Sequence, residues 1–359
     1  MAELDPALYT MVWIAPLQTV ADAAFHMMEN KHNGRFKASQ GEYCEFLAGD
    51  TLGHNVVIAT LPPGKEYDAD SDTHLASLAE QYFPKLQFGL FVGVATGLPN
   101  LHARPPRDIR LGDILVADPG TGTASLLAYE FSVGTANDGF RPPRVIQYLD
   151  QPEMVNGSAS VGIGVPGREN FLQYYEEMRY KGTFWDPGQK NDKLHETGDD
   201  GIERVVTRRL RGDSERSRVW FGPIGSGKKL PEDARKRDQL RDNFNIIGLE
   251  IKKAGPMLRI PFGVVRGVCD YGDMHTNKRW LPYAAAMASA YAKAILHEWL
   301  LQERCERVTV FGNEGVTMVR NKGIIKVRDD GFTAVGDGGI MKVKDGDVTI
   351  VKDGGIMED

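Results

Sequence analysis

Residues 11–30, MVWIAPLQTVADAAFHMMEN, decide the fold of this chain. The apolar run Met11–Ala15 predicts a buried strand, and Pro16 follows it. From Thr19 to Asn30 the apolar residues then recur with the spacing of a helix. A strand followed directly by a helix is the unit from which parallel sheets are built, so this stretch indicates an α/β protein.

The same alternation continues along the chain. The further predicted strands are Asn55–Leu61, Phe88–Val94, Asp113–Ala117, Arg218–Phe221, Asn245–Ile251 and Phe262–Val268. Helices are predicted at Thr73–Phe83 and in the alanine-rich stretch Pro282–Leu301. We therefore predict an α/β fold with a mainly parallel mixed sheet and right-handed crossovers.

The composition is that of a globular protein. Of 359 residues, 42% are hydrophobic and 26% are charged, which excludes a disordered or fibrous chain. The longest uncharged apolar stretch, Phe88–Leu101, is too short to cross a bilayer as a helix. The N-terminal residues lack the basic-then-apolar pattern of a secretory leader, so we expect a cytoplasmic protein.

Charge and cysteine content narrow the set of partners. The 43 Lys and Arg residues stand against 49 Asp and Glu, which leaves no basic field for nucleic acid. Cys44, Cys269 and Cys305 are odd in number and widely spaced, which indicates reduced thiols and no zinc site. We expect a small-molecule substrate, with no nucleic acid, no membrane, no metal and no cofactor.

Two segments differ from the rest. Residues 181–218 are rich in charge and include the run Arg208-Arg209-Leu210-Arg211, which we interpret as a mobile insertion with a solvated surface. From Val308 the sequence repeats with a period of eight, and each unit has β-prone residues followed by turn residues. This predicts a domain at 1–304 and an octapeptide-repeat β tail at 305–359; a floppy tail is the alternative.

The segment Gly222-Pro-Ile-Gly-Ser-Gly227-Lys228-Lys229 resembles a phosphate-binding Walker A loop. Lys229 stands where that motif has the magnesium-binding Ser or Thr, and Pro231 follows at once. We interpret the segment as a glycine loop that shapes a pocket rim.

A set of motifs carries a family resemblance. The segments are Trp13-Ile14, Gly89–Pro99, Asp108-Ile-Arg-Leu-Gly-Asp113, Trp220–Gly227, Gly248–Gly255, Val265–Asp273 and Asn277–Trp280. In this order and at these separations they resemble the purine/uridine phosphorylase superfamily, specifically the nucleoside-phosphorylase-like domains common in fungi. The resemblance runs from about Tyr9 to Leu300, and DIRLGD and Arg266–Tyr271 are its most specific parts.

The resemblance implies a three-layer α/β/α fold, a homotrimer or homohexamer, and particular site residues. Asp270 matches the aspartate that shares a proton with the departing base, and Arg110 lies in a segment similar to the family's phosphate-binding arginine segment. The Gly93–Gly97 loop would bring backbone N–H groups to an anion. The residues expected to line the substrate site are Gly93, Thr96, Arg110, Phe221, Ser226, Glu250, Ile251 and Trp280.

The chain departs from the family at two functional positions. Lys252 stands where the family has the glutamate that grips the ribose hydroxyls, and lysine has no acceptor for them. Val20 stands where hydrolytic members have the glutamate that orients water. Structural alternatives remain at each site: Asp270 paired with Arg266 or Lys278, Lys252 exposed, and Trp13, Phe221 and Trp280 as core residues.

Three functions remain open from the sequence. The first is a repurposed enzyme that carries out a cyclisation or isomerisation of a small molecule of fungal specialised metabolism, with Lys252 and Asp270 as its catalytic polar groups. The second is cleavage of an N-ribosidic bond by phosphate or water, with Asp270 as general acid. The third is a noncatalytic ligand-binding module. We rank repurposed catalysis slightly above nucleoside cleavage.

Overall fold

The structure is a computed structural model. It describes residues 2–37, 43–68, 70–118, 126–130, 144–149, 168–198, 200–227, 234–251, 259–305, 316–320, 323–328, 331–336, 339–344 and 347–351. The chain divides into two compact units, Met1–Ile295 and Leu296–Asp359. None of the described helices is long and apolar enough to cross a membrane.

The helices and strands of the described residues alternate along the first part of the chain. The helices are α1 (Gln18–His26), α2 (Ser71–Tyr82), α3 (Arg168–Met178), α4 (Ala234–Phe244) and α5 (Trp280–Cys305). The strands before α5 are β1 (Met11–Ile14), β2 (Asn30–Lys31), β3 (Glu45–Thr51), β4 (His54–Thr60), β5 (Phe88–Gly97), β6 (Ile114–Ala117), β7 (Leu126–Glu130), β8 (Arg144–Leu149), β9 (His195–Thr197), β10 (Glu203–Val205), β11 (Val219–Gly222), β12 (Ile224–Gly227), β13 (Gly248–Ile251) and β14 (Phe262–Asp270).

One large mixed sheet organises the first unit. Its strands run in the order β2-β3-β4-β1-β5-β13-β12-β7-β8, with β14 joined to β5 and β6, and β11 joined to β6. The pairs β4–β1, β1–β5, β5–β14, β6–β11, β13–β12 and β12–β7 are parallel, while β2–β3, β3–β4, β5–β13, β6–β14 and β7–β8 are antiparallel. The predicted α/β fold with a mainly parallel mixed sheet is confirmed.

Apolar side chains explain why β1 and β5 lie at the centre of this sheet. Trp13 of β1, Ile58 of β4 and Phe91 of β5 are completely buried. Strands that are covered on both faces have near-continuous apolar sequences, which is the pattern that identified them in the sequence.

The boundaries of two predicted elements are wrong. The helix predicted to reach Asn30 ends at His26, because Asn30–Lys31 pairs instead as edge strand β2 with β3. The strand predicted from Asn245 begins at Gly248, since Asn245 has a φ of 50°, in the left-handed region that interrupts an extended chain.

Both glycine-rich segments that we predicted as loops are strands. Gly93–Gly97 is the second half of β5 and pairs with β14 and β13. Ile224–Gly227 is β12, between β13 and β7. Glycine is needed at Gly227 because a Cβ there would collide with the ring of Tyr129. Lys228 and Lys229 lie outside the described residues.

The C-terminal unit contains strands β15 (Val316–Arg320), β16 (Gly323–Arg328), β17 (Gly331–Gly336), β18 (Gly339–Lys344) and β19 (Asp347–Val351). Each strand pairs antiparallel with the next along the chain. The strands thus form a meander with the eight-residue period of the sequence.

The basic run is only in part the solvated surface that we predicted, because Arg209 and Leu210 are exposed whereas Arg208 and Arg211 are not. Side chains of Arg208 and Arg211 are only 7% and 3% exposed. Arg208 pairs with Asp192, and Arg211 pairs with Asp113 of the DIRLGD motif at 2.6 Å. Burial of these guanidinium groups is offset by carboxylates from distant parts of the sequence.

Candidate active site

A cavity of about 190 Å³ lies along the second half of β5, between β14 on one side and β13 on the other. Pro16 and Leu17, in the connection between β1 and α1, also line it. Much of its wall is apolar, including Val20, Val92 and Leu281. The remaining lining residues are Tyr67, Asp72, Gly93, Val94, Ala95, Thr96, Leu249, Glu250, Ile251, Arg266, Cys269 and Asp270.

Asp270, the last residue of β14, is held by its neighbours in the sheet. Its Oδ1 accepts hydrogen bonds from the Thr96 hydroxyl at 2.6 Å and from the Gly272 N–H at 2.8 Å. Its Oδ2 accepts a weak hydrogen bond from the Cys269 thiol at 3.3 Å. The stronger donors hold one oxygen, so the carboxyl group has a fixed orientation at the cavity wall.

Cys269 contributes no reactive thiolate to this site. Burial, together with the charge of Asp270, raises the pKa of the Cys269 thiol well above its usual range. The thiol instead acts as a weak donor towards Asp270 and the Ala95 carbonyl.

A buried charge cluster occupies another part of the same cavity. Arg266 donates from Nε to Glu250 at 2.5 Å and from Nη2 to Asp72 at 3.2 Å. Its Nη1 donates to the Phe91 carbonyl at 2.7 Å. One guanidinium group therefore holds two carboxylates, and the three side chains carry a net charge of about −1 when all are ionised.

Burial and charge act in opposite directions on the ionisation of Arg266. Burial alone would lower the pKa of Arg266, but the charges of Glu250 and Asp72 raise it above its ordinary value. Arg266 is therefore a permanent cation that its carboxylate partners already neutralise.

Tyr67 completes the cluster. Its hydroxyl donates to the Ile251 carbonyl at 2.7 Å. Burial raises the pKa of Tyr67 well above 10, and the charges of Asp72 and Glu250 add to this effect. Tyr67 therefore stays a neutral phenol that links the start of α2 to the end of β13.

The structure brings together five of the ten residues that we predicted from sequence. These are Gly93, Thr96, Glu250, Ile251 and Asp270, which all line the cavity. Ser226 supports them from β12, because its hydroxyl donates to Glu250 at 2.8 Å. Lys252 lies outside the described residues.

Three predicted residues lie elsewhere. Arg110 is buried and donates to Asp108 at 2.9 Å and to the Arg209 carbonyl at 2.8 Å. Phe221 lies in β11 beside Val116 of β6. Trp280 is fully buried at the start of α5, with its ring near that of Tyr283. None of the three is among the residues that line the cavity.

The structural alternatives for Asp270 are not observed either. Arg266 pairs with Glu250 and Asp72, and the bonds described for Asp270 come from Thr96, Gly272 and Cys269. Sequence reasoning missed Tyr67 and Asp72 as cavity residues. A usable signal existed, because Tyr67 lies in the connection between β4 and α2 and Asp72 lies in the first turn of α2, and segments that follow parallel strands commonly form ligand sites.

Metal ligands are not grouped in this site. Within the described ranges, no cluster of three or more His, Cys, Asp or Glu side chains could hold a metal ion.

Comparison with known proteins gives one relative in sequence and several in structure. No protein-family model matches the chain. A nucleotide-binding leucine-rich repeat (NLR)-like protein of Hyaloscypha variabilis is 32% identical over 310 residues, which cover 82% of this chain and 30% of that protein. The chain thus spans less than a third of the length of the relative that it matches.

Nucleosidases and a hydrolase are among the solved structures that resemble this one. The 5′-methylthioadenosine/S-adenosylhomocysteine nucleosidase from Neisseria meningitidis, in complex with methylthio-immucillin-A, has a TM-score of 0.48 at 16% identity and covers 80% of this chain and 99% of its own. Futalosine hydrolase of Helicobacter pylori has a TM-score of 0.46 at 14% identity and covers 81% of this chain and 98% of its own.

Proposed function

We propose that the cavity binds a nucleoside and that the protein hydrolyses its N-glycosidic bond, with Asp270 donating a proton to the departing base. The observation that carries this proposal is the fixed orientation of Asp270 at the wall of a largely apolar cavity. A flat base suits apolar walls, and a positioned carboxyl group can protonate a ring nitrogen as the bond breaks.

Water suits this cavity better than phosphate as the nucleophile that attacks the sugar. Among the described lining residues the positive charge is that of Arg266, and Glu250 and Asp72 already neutralise it. Arg110, which we predicted to bind phosphate, is engaged by Asp108 outside the cavity lining. A phosphate dianion would enter a site with a net negative charge, which costs free energy, whereas water would not.

The cyclisation or isomerisation that we ranked first from sequence uses Lys252 and Asp270 as its polar groups. Lys252 lies outside the described residues, and no described contact favours that chemistry over hydrolysis. A homo-oligomer and a cytoplasmic location stay predictions.

The test is release of base from adenosine, inosine, guanosine, uridine and cytidine, measured by liquid chromatography with and without phosphate. We expect release that does not depend on phosphate and that falls by about 10²- to 10⁴-fold in Asp270→Asn, which removes the proton donor but keeps the shape. Asp213→Asn, at an exposed position, is the matched control and should keep wild-type rates. Equal activity of Asp270→Asn and wild type would contradict the proposal.

A further inference from the structure

A general acid is effective only when its carboxyl group is held in the direction of the leaving group. We propose that Arg237 and Tyr271 are positioning residues for Asp270, an inference that rests on the hydrolytic function proposed above. Neither belongs to the described residues that line the cavity, and the sequence analysis selected neither as a site residue. Both act through the peptide bond between Tyr271 and Gly272.

This peptide bond carries one of the hydrogen bonds that hold Asp270. Its N–H group, that of Gly272, donates to Asp270 Oδ1 at 2.8 Å. Its carbonyl group, that of Tyr271, accepts from Arg237 Nη1 at 3.0 Å. A trans peptide is planar and its N–H and C=O groups point in opposite directions, so a donor that fixes the carbonyl also fixes the N–H. Arg237 therefore helps to aim the Gly272 N–H at Asp270.

Arg237 is itself held in place. It lies in α4, and its side chain is 1% exposed. Its Nε donates to Asp238 at 2.8 Å, and its Nη2 donates to the His195 carbonyl at 3.3 Å. Because the guanidinium group is planar and its donors form a rigid fork, these two contacts also determine where Nη1 lies. The donor to the Tyr271 carbonyl is thus fixed before any substrate binds.

The side chain of Tyr271 anchors the same peptide a second time. Its hydroxyl donates to Asp192 Oδ1 at 2.6 Å and accepts from Arg208 Nη2 at 2.9 Å and from the Leu111 N–H at 3.2 Å. Asp192 and Arg208 also pair with each other at 2.9 Å, so the three side chains form a closed set of contacts. Tyr271 is 3% exposed, and its backbone cannot shift without breaking these buried hydrogen bonds.

These contacts give the charged segment 181–218 a role in the reaction. Asp192 and Arg208 belong to that segment and lie 79 and 63 residues before Tyr271 in the sequence. Through Tyr271 they act on the residue that directly follows the general acid. A small misplacement of a catalytic group can lower a rate by about 100-fold, so loss of this support should slow the step that needs a proton.

The test uses two substrates that differ in their need for an acid. The base of a nucleoside leaves with a proton, whereas p-nitrophenolate leaves p-nitrophenyl β-D-ribofuranoside as a stable anion that needs none. On the nucleoside that wild type hydrolyses fastest, we expect Tyr271→Phe and Arg237→Met each to lower kcat about 10- to 100-fold, with KM changed less than about threefold. On p-nitrophenyl riboside the rate should change less than about threefold.

The ratio of the two rates in one sample does not depend on how much of the protein is folded, so a loss of stability alone leaves it unchanged. Tyr175→Phe is the matched control. It removes another buried hydroxyl, which donates to the Phe184 carbonyl at 3.2 Å, and Tyr175 is not among the described residues that line the cavity. This variant should keep the wild-type ratio. Asp270→Asn should lose nucleoside cleavage and keep cleavage of p-nitrophenyl riboside.

The outcomes separate this inference from the proposed function. No base release by wild type, or equal losses on both substrates in Asp270→Asn, contradicts both. Base release by wild type with an unchanged nucleoside kcat in Tyr271→Phe or in Arg237→Met overturns only the positioning role of that residue. Equal losses on the two substrates in these variants overturn it as well, because the damage would then not be specific to proton donation by Asp270.

Discussion

Asp113 should be the most sensitive carboxylate of the fold. It is fully buried and accepts five hydrogen bonds. Oδ1 accepts from Arg211 Nη1 at 2.6 Å and Arg218 N at 2.9 Å, while Oδ2 accepts from Arg211 Nη2 at 3.0 Å, Arg110 N at 2.9 Å and Trp220 Nε1 at 2.8 Å. Asp113→Asn keeps the shape but replaces one of these two acceptor oxygens by a donor.

The magnitude follows from that geometry. Whichever oxygen becomes the amide, at least two donors lose their acceptor, and the buried Arg211 loses its charge partner. Removing one member of a buried ion pair costs about 3–5 kcal/mol. In a unit of this size about 1 kcal/mol corresponds to roughly 2 °C, so we expect the melting temperature to fall by roughly 6–10 °C.

Urea unfolding followed by tryptophan fluorescence measures this change in the free energy of unfolding. Asp213→Asn is the control, because Asp213 is exposed and should change stability by less than about 0.5 kcal/mol. If Asp113→Asn lies within about 0.5 kcal/mol of wild type, the account of Asp113 as the centre of a buried network is refuted.

Three further predictions concern packing and ionisation. A Cβ at Gly267 would collide with the Ala284 backbone of α5, so Gly267→Ala should lower the free energy of unfolding by about 3 kcal/mol or more. In the control Gly212→Ala the added Cβ meets no atom within 4 Å, so the free energy of unfolding should hardly change. Equal urea midpoints of the two variants would contradict this prediction. Burial raises the pKa of Cys44 to about 12, so Ellman's reagent at pH 8 should modify the Cys44 thiol only after the protein unfolds. Rapid labelling of Cys44 in the native protein, identified by mass spectrometry of its peptide, would be inconsistent with that burial. Burial, and then the charge of the stacked His275, lowers the pKa of His195 below 6.5. The unfolded state therefore takes up a proton at a higher pH than the folded state does, so the free energy of unfolding falls as the pH drops below 6.5. The variant His195→Gln should lose less of its free energy of unfolding between pH 7 and pH 5 than wild type does. An NMR titration of His195 with a midpoint above 6.5 would contradict the sign.

Local patterns were sufficient to predict much of the sheet. Strands β1, β4 and β6 have apolar runs that identify them, and each begins and ends within one residue of its predicted bounds. The glycine-rich segments Gly93–Gly97 and Ile224–Gly227 were wrongly predicted to be loops, because glycine is found both in turns and in strands that pack closely. In β12 it allows contact with the ring of Tyr129.

Long-range pairing could not be predicted. The local sequence around Arg211 predicts an exposed side chain, whereas Arg211 is buried against Asp113, which lies 98 residues away in the sequence. The same holds for Asp72 and Arg266, which are separated by 194 residues. Asp270, by contrast, was predicted to be a site residue through the resemblance, and the structure brings it beside Thr96, another predicted site residue.

The most direct test of hydrolysis with a single displacement is proton NMR of the reaction as it proceeds, in phosphate-free buffer, on a β-nucleoside that wild type turns over. The account predicts free base together with α-configured free sugar as the first product, because water attacks opposite the departing base. Release of base only when phosphate is present, with sugar 1-phosphate as the product, would contradict it.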